Sequence, residues 1–343
     1  MAIMRKAVWT AAAGLMLTLA FTLSSELSRW FSSHISLPLS SLLARAASVV
    51  PFPVGEILLL AGAPMIALWI LWSVIRWKAP RGAAFALSLV FLLYAVLWVP
   101  QCHVPAMAAE SSNAERLTQL SQTLAHQAES LRETAMAEAE SGQKVLSEAR
   151  DAVASLNLSG QPLAAPKFAR YPEILRALEI AGVYAPWTGE AIVSPDEPAF
   201  TLPFLAAHEL AHASGFARED EANYVAYRAC MTGSARFRYA ATIYAFRYAM
   251  DALKGMDPSA WSEIRSGLSD GVRDDFWRID DTGDAATGFS AFTDRAAEVF
   301  LQLSGQPSGL SSYGGMVSFL LNDVSLVDDS QALQRQDAVQ HVD

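Results

Sequence analysis

Cysteine is nearly missing from this chain: Cys102 and Cys230 are the only two in 343 residues. Two cysteines make no disulfide framework, and nothing in their spacing places the Cα atoms within bridging distance, so unpaired thiols are expected. Charge is scarce as well, at 17% of residues, and cations are outnumbered, with 25 Lys and Arg against 35 Asp and Glu. The net charge of −10 falls mostly after the apolar N-terminal region. It lacks the basic footprint a nucleic-acid partner needs, so no nucleic acid is expected. No internal repeat is visible, and no small-residue cleavage motif follows the first apolar run, which favours an uncleaved anchor over a removed signal peptide.

What the chain has in excess is apolar surface: 52% of residues are hydrophobic and the mean hydropathy is +0.22. The excess sits at the front. Runs 7–23, 57–75 and 83–99 are free of charge and suggest three transmembrane helices across a hydrocarbon core of about 30 Å, with the lipid bilayer as partner. Pro64 inside the second run is compatible with a kink that neighbouring helices tolerate. Arg5 and Lys6 before the first run, and Arg76, Lys78 and Arg81 between the second and third, belong on the cytoplasmic side. Residues 24–56 and everything after Val99 then lie outside the cytoplasm, as expected of a multi-pass protein of a bacterial inner membrane.

The division that follows is a membrane domain over 1–103, a helical connector over 104–165, a second globular domain over 166–330 and a flexible tail over 331–343. In the connector, Leu117, Leu120, Leu124, Ala128, Leu131 and Ala135 recur every three or four residues, a helical pattern interrupted by Gly142. It reads either as a lever joining membrane to domain or as helices packed on that domain. Residues 158–168 read as a loop and 171–180 as a short helix. Residues 182–195 carry Gly and Pro around a short apolar stretch and fit a β-hairpin or edge strand. Helices are expected over 237–253, 258–278, 291–303 and 313–321, with a polar loop at 280–288.

The chemistry concentrates in His208-Glu209-Leu210-Ala211-His212. Positions i and i+4 share a helix face, so two imidazoles there can hold one Zn²⁺ while Glu209 lies beside it as general base for water. The surrounding residues, Ala206, Ala207, Leu210, Ala211 and Ala213, suit a buried helix. Burying two imidazoles and a carboxylate without partners costs several kcal/mol, a cost that a shared metal removes. Of six histidines, His34, His103, His126 and His341 have no comparable spacing, which leaves a carboxylate as third ligand. Gly215 can reverse the chain, and the helix that restarts at Glu219 offers Glu219 or Glu221. Glu219 is favoured because Asn223, at i+4 on the same face, can orient a ligand imidazole. A donor for transition-state charge is open among Tyr184, Tyr239, Tyr244 and Tyr248.

Glu219-x-x-Ala222-Asn223 after HExxH resembles the ligand helix of gluzincin-type peptidases, including membrane-bound ones. The stretches PWTGEAIVSP and LPFLAAHELAHASGFAREDEANYVAY, with Val50-Pro51-Phe52-Pro53-Val54-Gly55-Glu56 and Ser312-Tyr313-Gly314, resemble the bacterial membrane family called domain of unknown function 3810. Where that family usually carries Tyr and Asn after the third apolar run, this chain has Trp98-Val99-Pro100-Gln101-Cys102. The resemblance implies a mainly α protein, three transmembrane helices followed by a mostly helical zincin-like domain outside the cytoplasm. It also implies a zinc metallopeptidase acting on a peptide or protein substrate. The alternative from another class is a non-catalytic envelope protein that zinc stabilises and that binds peptides or partner proteins. An intramembrane protease is disfavoured, because Pro203, the motif itself and the acidic run after Arg218 interrupt any span there.

Overall fold

The structure, a computed structural model, describes residues 2–76, 80–108, 113–138, 140–280 and 315–323. The expected helix 291–303, the loop from 281 and the tail 331–343 lie outside the described residues. The described residues are mainly helical, with one small sheet among them.

Among the described residues two helices are long and apolar enough to cross a membrane: α1 (Ala2–Leu23) and α4 (Val54–Ile75), each of 22 residues. At 1.5 Å per residue each measures about 33 Å. The α4 helix runs through Pro64. The third expected crossing needs correction. Helix α5 (Arg81–Leu97) has 17 residues, about 26 Å, and stops before Pro100. Proline has no N–H to give the carbonyl four residues back, and its ring crowds that carbonyl. The carbonyl in question, on Val96, instead accepts a 2.6 Å hydrogen bond from the Ser36 hydroxyl. A single turn, α6 (Val99–Cys102), follows. α5 packs along α1, where Gly14 lets the Phe91 ring approach: a Cβ there would sit 2.8 Å from the ring.

The stretch between α1 and α4 is largely helical, with α2 (Ser25–Phe31), a π-helical turn (Ser32–Ser36) and α3 (Leu37–Ala47). The expected connector is two helices, α7 (Ala114–Ala137) and α8 (Gly142–Ser155), and Gly142 is the first residue of the second. Asn113 and Ser141 cap them by accepting from the N–H groups of Arg116 and Lys144. Leu117, Leu120, Leu124 and Ala128 are buried in the same core as α12 (Ala235–Met256), so the connector packs rather than projecting as a lever. α12 brings Phe237, Tyr239, Ile243 and Phe246 to that core, and its alanines let neighbouring helices come close. α13 (Pro258–Ser266), α14 (Asp270–Asp280) and α15 (Met316–Leu320) complete the helical set among the described residues. The single helix expected over 258–278 is thus two, separated by Gly267-Leu268-Ser269.

The hairpin forms as β2 (Gly182–Ala185) and β3 (Glu190–Val193), antiparallel, with Gly189 at φ +68° in its turn. A strand read as loop in the sequence, β1 (Lys167–Phe168), joins β3 in parallel, so the order is β1-β3-β2 and β2 is an edge. The short helix α9 (Pro172–Ala177) lies between them in sequence.

This sheet is bonded to the start of α4. Glu190, buried on β3, accepts from the N–H groups of Val54 at 3.1 Å and Gly55 at 2.7 Å, and pairs with Lys167 Nζ at 2.7 Å. Lys167 also donates to the carbonyls of Ala47 and Phe52. In the reverse direction Glu56 accepts from the N–H groups of Arg170 and Tyr171. Removing one partner of a buried ion pair leaves the other uncompensated, at a cost of about 3–5 kcal/mol. Glu190→Ala should therefore lower the unfolding temperature of the full chain sharply in detergent or nanodiscs. A shift within error of wild type would mean the junction contributes nothing to stability.

Candidate metal centre

α10 (Leu202–Ala213) carries the motif, and its Ala206, Ala207, Leu210 and Ala211 are almost wholly buried. His208 and His212 stand one turn apart with rings nearly perpendicular, at 88°, and their Nε2 atoms 3.2 Å from each other. Gly215, at φ +103°, then reverses the chain, a conformation that residues with a Cβ avoid. The turn closes with Phe216 N–H donating to the Ala211 carbonyl, and Leu37 of α3 covers the glycine.

The same turn orients one of the two imidazoles. His212 Nδ1 lies 2.7 Å from the Phe216 carbonyl, which can only accept, so Nδ1 carries the proton. In the neutral ring the lone pair is then on Nε2, the atom facing His208. α11 (Glu219–Met231) returns alongside α10, and its first residue meets both rings. Glu219 Oε2 is 3.1 Å from His208 Nε2 and 3.5 Å from His212 Nε2. Three donors lie within 4.8 Å of one another, the one such group among the described residues.

The donor set fits a tetrahedral metal ion. Ligand atoms held about 2.0–2.1 Å from zinc at tetrahedral angles are about 3.3–3.4 Å apart. The three observed separations, 3.1, 3.2 and 3.5 Å, bracket that value. Without a cation the carboxylate and the imidazoles compensate one another. Burial opposes charge on both His212 and Glu219. The Glu219 carboxylate nevertheless raises His212 to about 9, and the two imidazoles hold Glu219 well below the ordinary carboxylate value.

Glu209 is 5% exposed. Burial pushes its carboxyl up, against the lowering influence of His208 and His212. Its side chain lies against the edge strand: a Cβ on Gly182 would be 2.6 Å from Oε1 and 3.0 Å from Cγ. The carboxylate thus occupies the space a side chain would take at the first residue of β2. Glu221 goes elsewhere. Its Oε1 accepts from Met107 N–H at 2.6 Å and ties down the segment after α6.

Residues 31–321 match the family model described as protein of unknown function (DUF3810). The chain belongs to this family. Comparison with the curated proteins and with the solved structures gave no match. The DUF3810 match takes in α3, α4, α5, the sheet and all three donors, while the whole of α1 and all but the last residue of α2 precede it.

Within this DUF3810 chain one expected role is corrected. Asn223 is buried but serves neither imidazole Nδ1: that of His212 goes to Phe216, and that of His208 has no hydrogen-bond partner among the described residues. Asn223 instead pairs with the Tyr248 phenol on α12. Glu219, one turn away on α11, lies close enough to that phenol to disfavour its ionisation. Of the other phenols, Tyr239 donates to Asp275, which also binds Arg132, and Tyr244 stacks on Phe204 with centroids 4.3 Å apart. Tyr184 packs against Trp98.

Two contacts were missed in the sequence. Gly182 reads there as a strand boundary, and only its approach to Glu209 reveals the reason for glycine. Trp98, just past the end of α5, sets its ring edgewise on His212 at 5.8 Å. Cys102, a turn later, joins Trp98, Tyr184 and Ala217 in one buried cluster. Both cysteines are free and buried, and burial raises both thiols, Cys102 to about 12, as inert packing residues.

Proposed function

We propose that this protein is a membrane-anchored, zinc-dependent metallopeptidase that hydrolyses peptide bonds on the extracytoplasmic side. The convergence of His208, His212 and Glu219 beside the buried Glu209 carries the reading. The three donors would hold zinc and leave a fourth position open. Zinc bound there lowers the pKa of water and polarises a carbonyl. Glu209, whose carboxyl is pushed up by burial, takes the proton of the attacking water and returns it to the leaving amine. His212 is kept in the ligating tautomer by Phe216. The edge strand β2 offers unpaired backbone groups next to Glu209, where an extended substrate can add as a further strand.

The apolar helices α1 and α4, with the shorter α5, are read as the anchor, and the cationic flanks at Arg5, Lys6, Arg76 and Arg81 as its cytoplasmic side. The competing reading, a zinc-stabilised protein without catalysis, gives Glu209 no duty. Peptide profiling of envelope extracts from cells carrying wild type or Glu209→Gln separates the two. Peptides that accumulate or vanish only with Glu209→Gln support hydrolysis, and identical profiles support the rival.

Gly182 supplies a second check. Misplacing a catalytic group by about 1 Å costs on the order of 10²-fold in rate. Gly182→Ala should therefore lower kcat by about that factor with zinc content unchanged, because its methyl group displaces Glu209 and leaves the three ligands alone. An undiminished kcat would show that Glu209 does not need its present position.

A further inference from the structure

Three apolar helices meet the globular part at one level. α1 ends at Leu23, and Thr22 next to it is hydrogen-bonded to His103 at 3.2 Å. α4 starts at Val54, whose N–H is held by Glu190 of the hairpin. α5 ends at Leu97, and the next residue, Trp98, is the one seated on His212 and Tyr184. Tyr94, one turn earlier on α5, faces Trp187 in the hairpin turn at 6.3 Å. Tryptophan and tyrosine are enriched where a membrane helix passes into water, because their rings are apolar and carry one polar handle. Tyr94 and Trp187, both partly exposed, therefore place the hairpin, and with it Glu209 and His212, at the surface of the bilayer, with Trp98 and Tyr184 buried directly behind them.

We propose that the centre formed by His208, His212 and Glu219 acts on polypeptide tethered to the membrane, in the first few residues beyond the point where chain or acyl anchor leaves the bilayer. The proposal rests on the peptidase reading and adds its substrate class. An extended residue spans about 3.3–3.6 Å, so a chain emerging at the level of Leu97 reaches the His212 ring within roughly three to six residues. The hairpin is fixed at that depth from two sides. Glu190 binds the N–H groups of Val54 and Gly55, and Gly55 itself has no room for a side chain, since a Cβ would lie 2.6 Å from that of Ala185. The site is thus joined to both ends of the α4–α5 pair rather than suspended on a linker.

The test uses the full chain with zinc in nanodiscs and three sets of mixed-sequence peptides at equal bulk concentration: free, N-terminally palmitoylated, and fused to a leucine-rich membrane span. Cleavage positions are mapped by mass spectrometry, with Glu209→Gln as control. The expected result is cuts clustered roughly three to six residues from the anchor, with at least tenfold fewer in free peptides. Whichever tethered set is cut identifies the anchor. Cuts spread evenly along tethered peptides, with free peptides cut as fast, would overturn the proposal and leave the hydrolase standing. No cleavage beyond that of Glu209→Gln in any set would overturn the hydrolase reading and this inference with it.

A readout independent of activity is the emission lost in Trp98→Phe. Phospholipids brominated near the headgroup end of their chains should quench that share, more than lipids brominated near the bilayer centre. Equal emission with and without bromine would place Trp98 away from the bilayer and overturn the proposal, whatever the enzyme cleaves.

Discussion

Glu209→Gln should abolish peptide hydrolysis, by about 10²–10⁴-fold in kcat, while zinc content stays at the wild-type level. The amide is nearly the size of the carboxylate, so the contact with Gly182 survives. What it removes is the basic oxygen that accepts a proton from water. The three donors that converge near 3 Å do not include Glu209, so metal content has no reason to fall. Zinc analysis of purified full-length protein, alongside turnover of a cleavable peptide, measures both quantities on one sample. Zinc lost together with activity would make Glu209 part of the metal's support, and turnover retained with zinc in place would remove it from the reaction.

The largest effect on metal is expected at Glu219. Outer groups that merely orient a ligand cost about 10–100-fold in affinity when removed, and a ligand itself costs more. Glu219→Ala should therefore weaken zinc binding by more than about 10²-fold in competition with a chelator. Glu221→Ala is the matched control. It deletes a carboxylate two residues along the same helix, one whose partner is Met107 N–H, and should retain zinc while loosening the segment after α6. Equal zinc affinity in the two variants would dismiss the three-donor centre.

Much of the site was legible in the sequence because its parts are local. The four-residue spacing of His208 and His212 sets their shared face, and a glycine three residues after His212 marks the reversal. Glu219, preferred over Glu221 in the sequence, is the carboxylate that lies beside both imidazoles, but the stated reason did not hold: Asn223 was credited with an imidazole and pairs with Tyr248 instead. Glu219 meets both imidazoles by geometry, as the first residue of a helix emerging from a tight turn. Contacts between distant segments were not legible. Trp98 on His212, Gly182 against Glu209 and Glu190 on the α4 start each join residues about 30 to 140 apart, and no local pattern encodes such pairs.

The fold divides along the same line. Helix periodicity located α7, α10, α11 and α12, whereas β1 was missed because two residues show no alternation. The apolar run 83–99 overreached because composition alone counts Trp98 and Val99 as continuing a helix that Pro100 forbids.

The seam between α4 and the sheet bears on how the protein can be handled. A soluble fragment begun near residue 104 would strip Trp98 from His212, Leu37 from Gly215 and the Val54 and Gly55 amides from Glu190. Such a fragment would expose the back of the His212 ring and strand a buried carboxylate with only Lys167 for company. The N-terminal helices are therefore part of the wall around the His208, His212 and Glu219 group, and a fragment lacking them should lose the geometry of that group along with its stability.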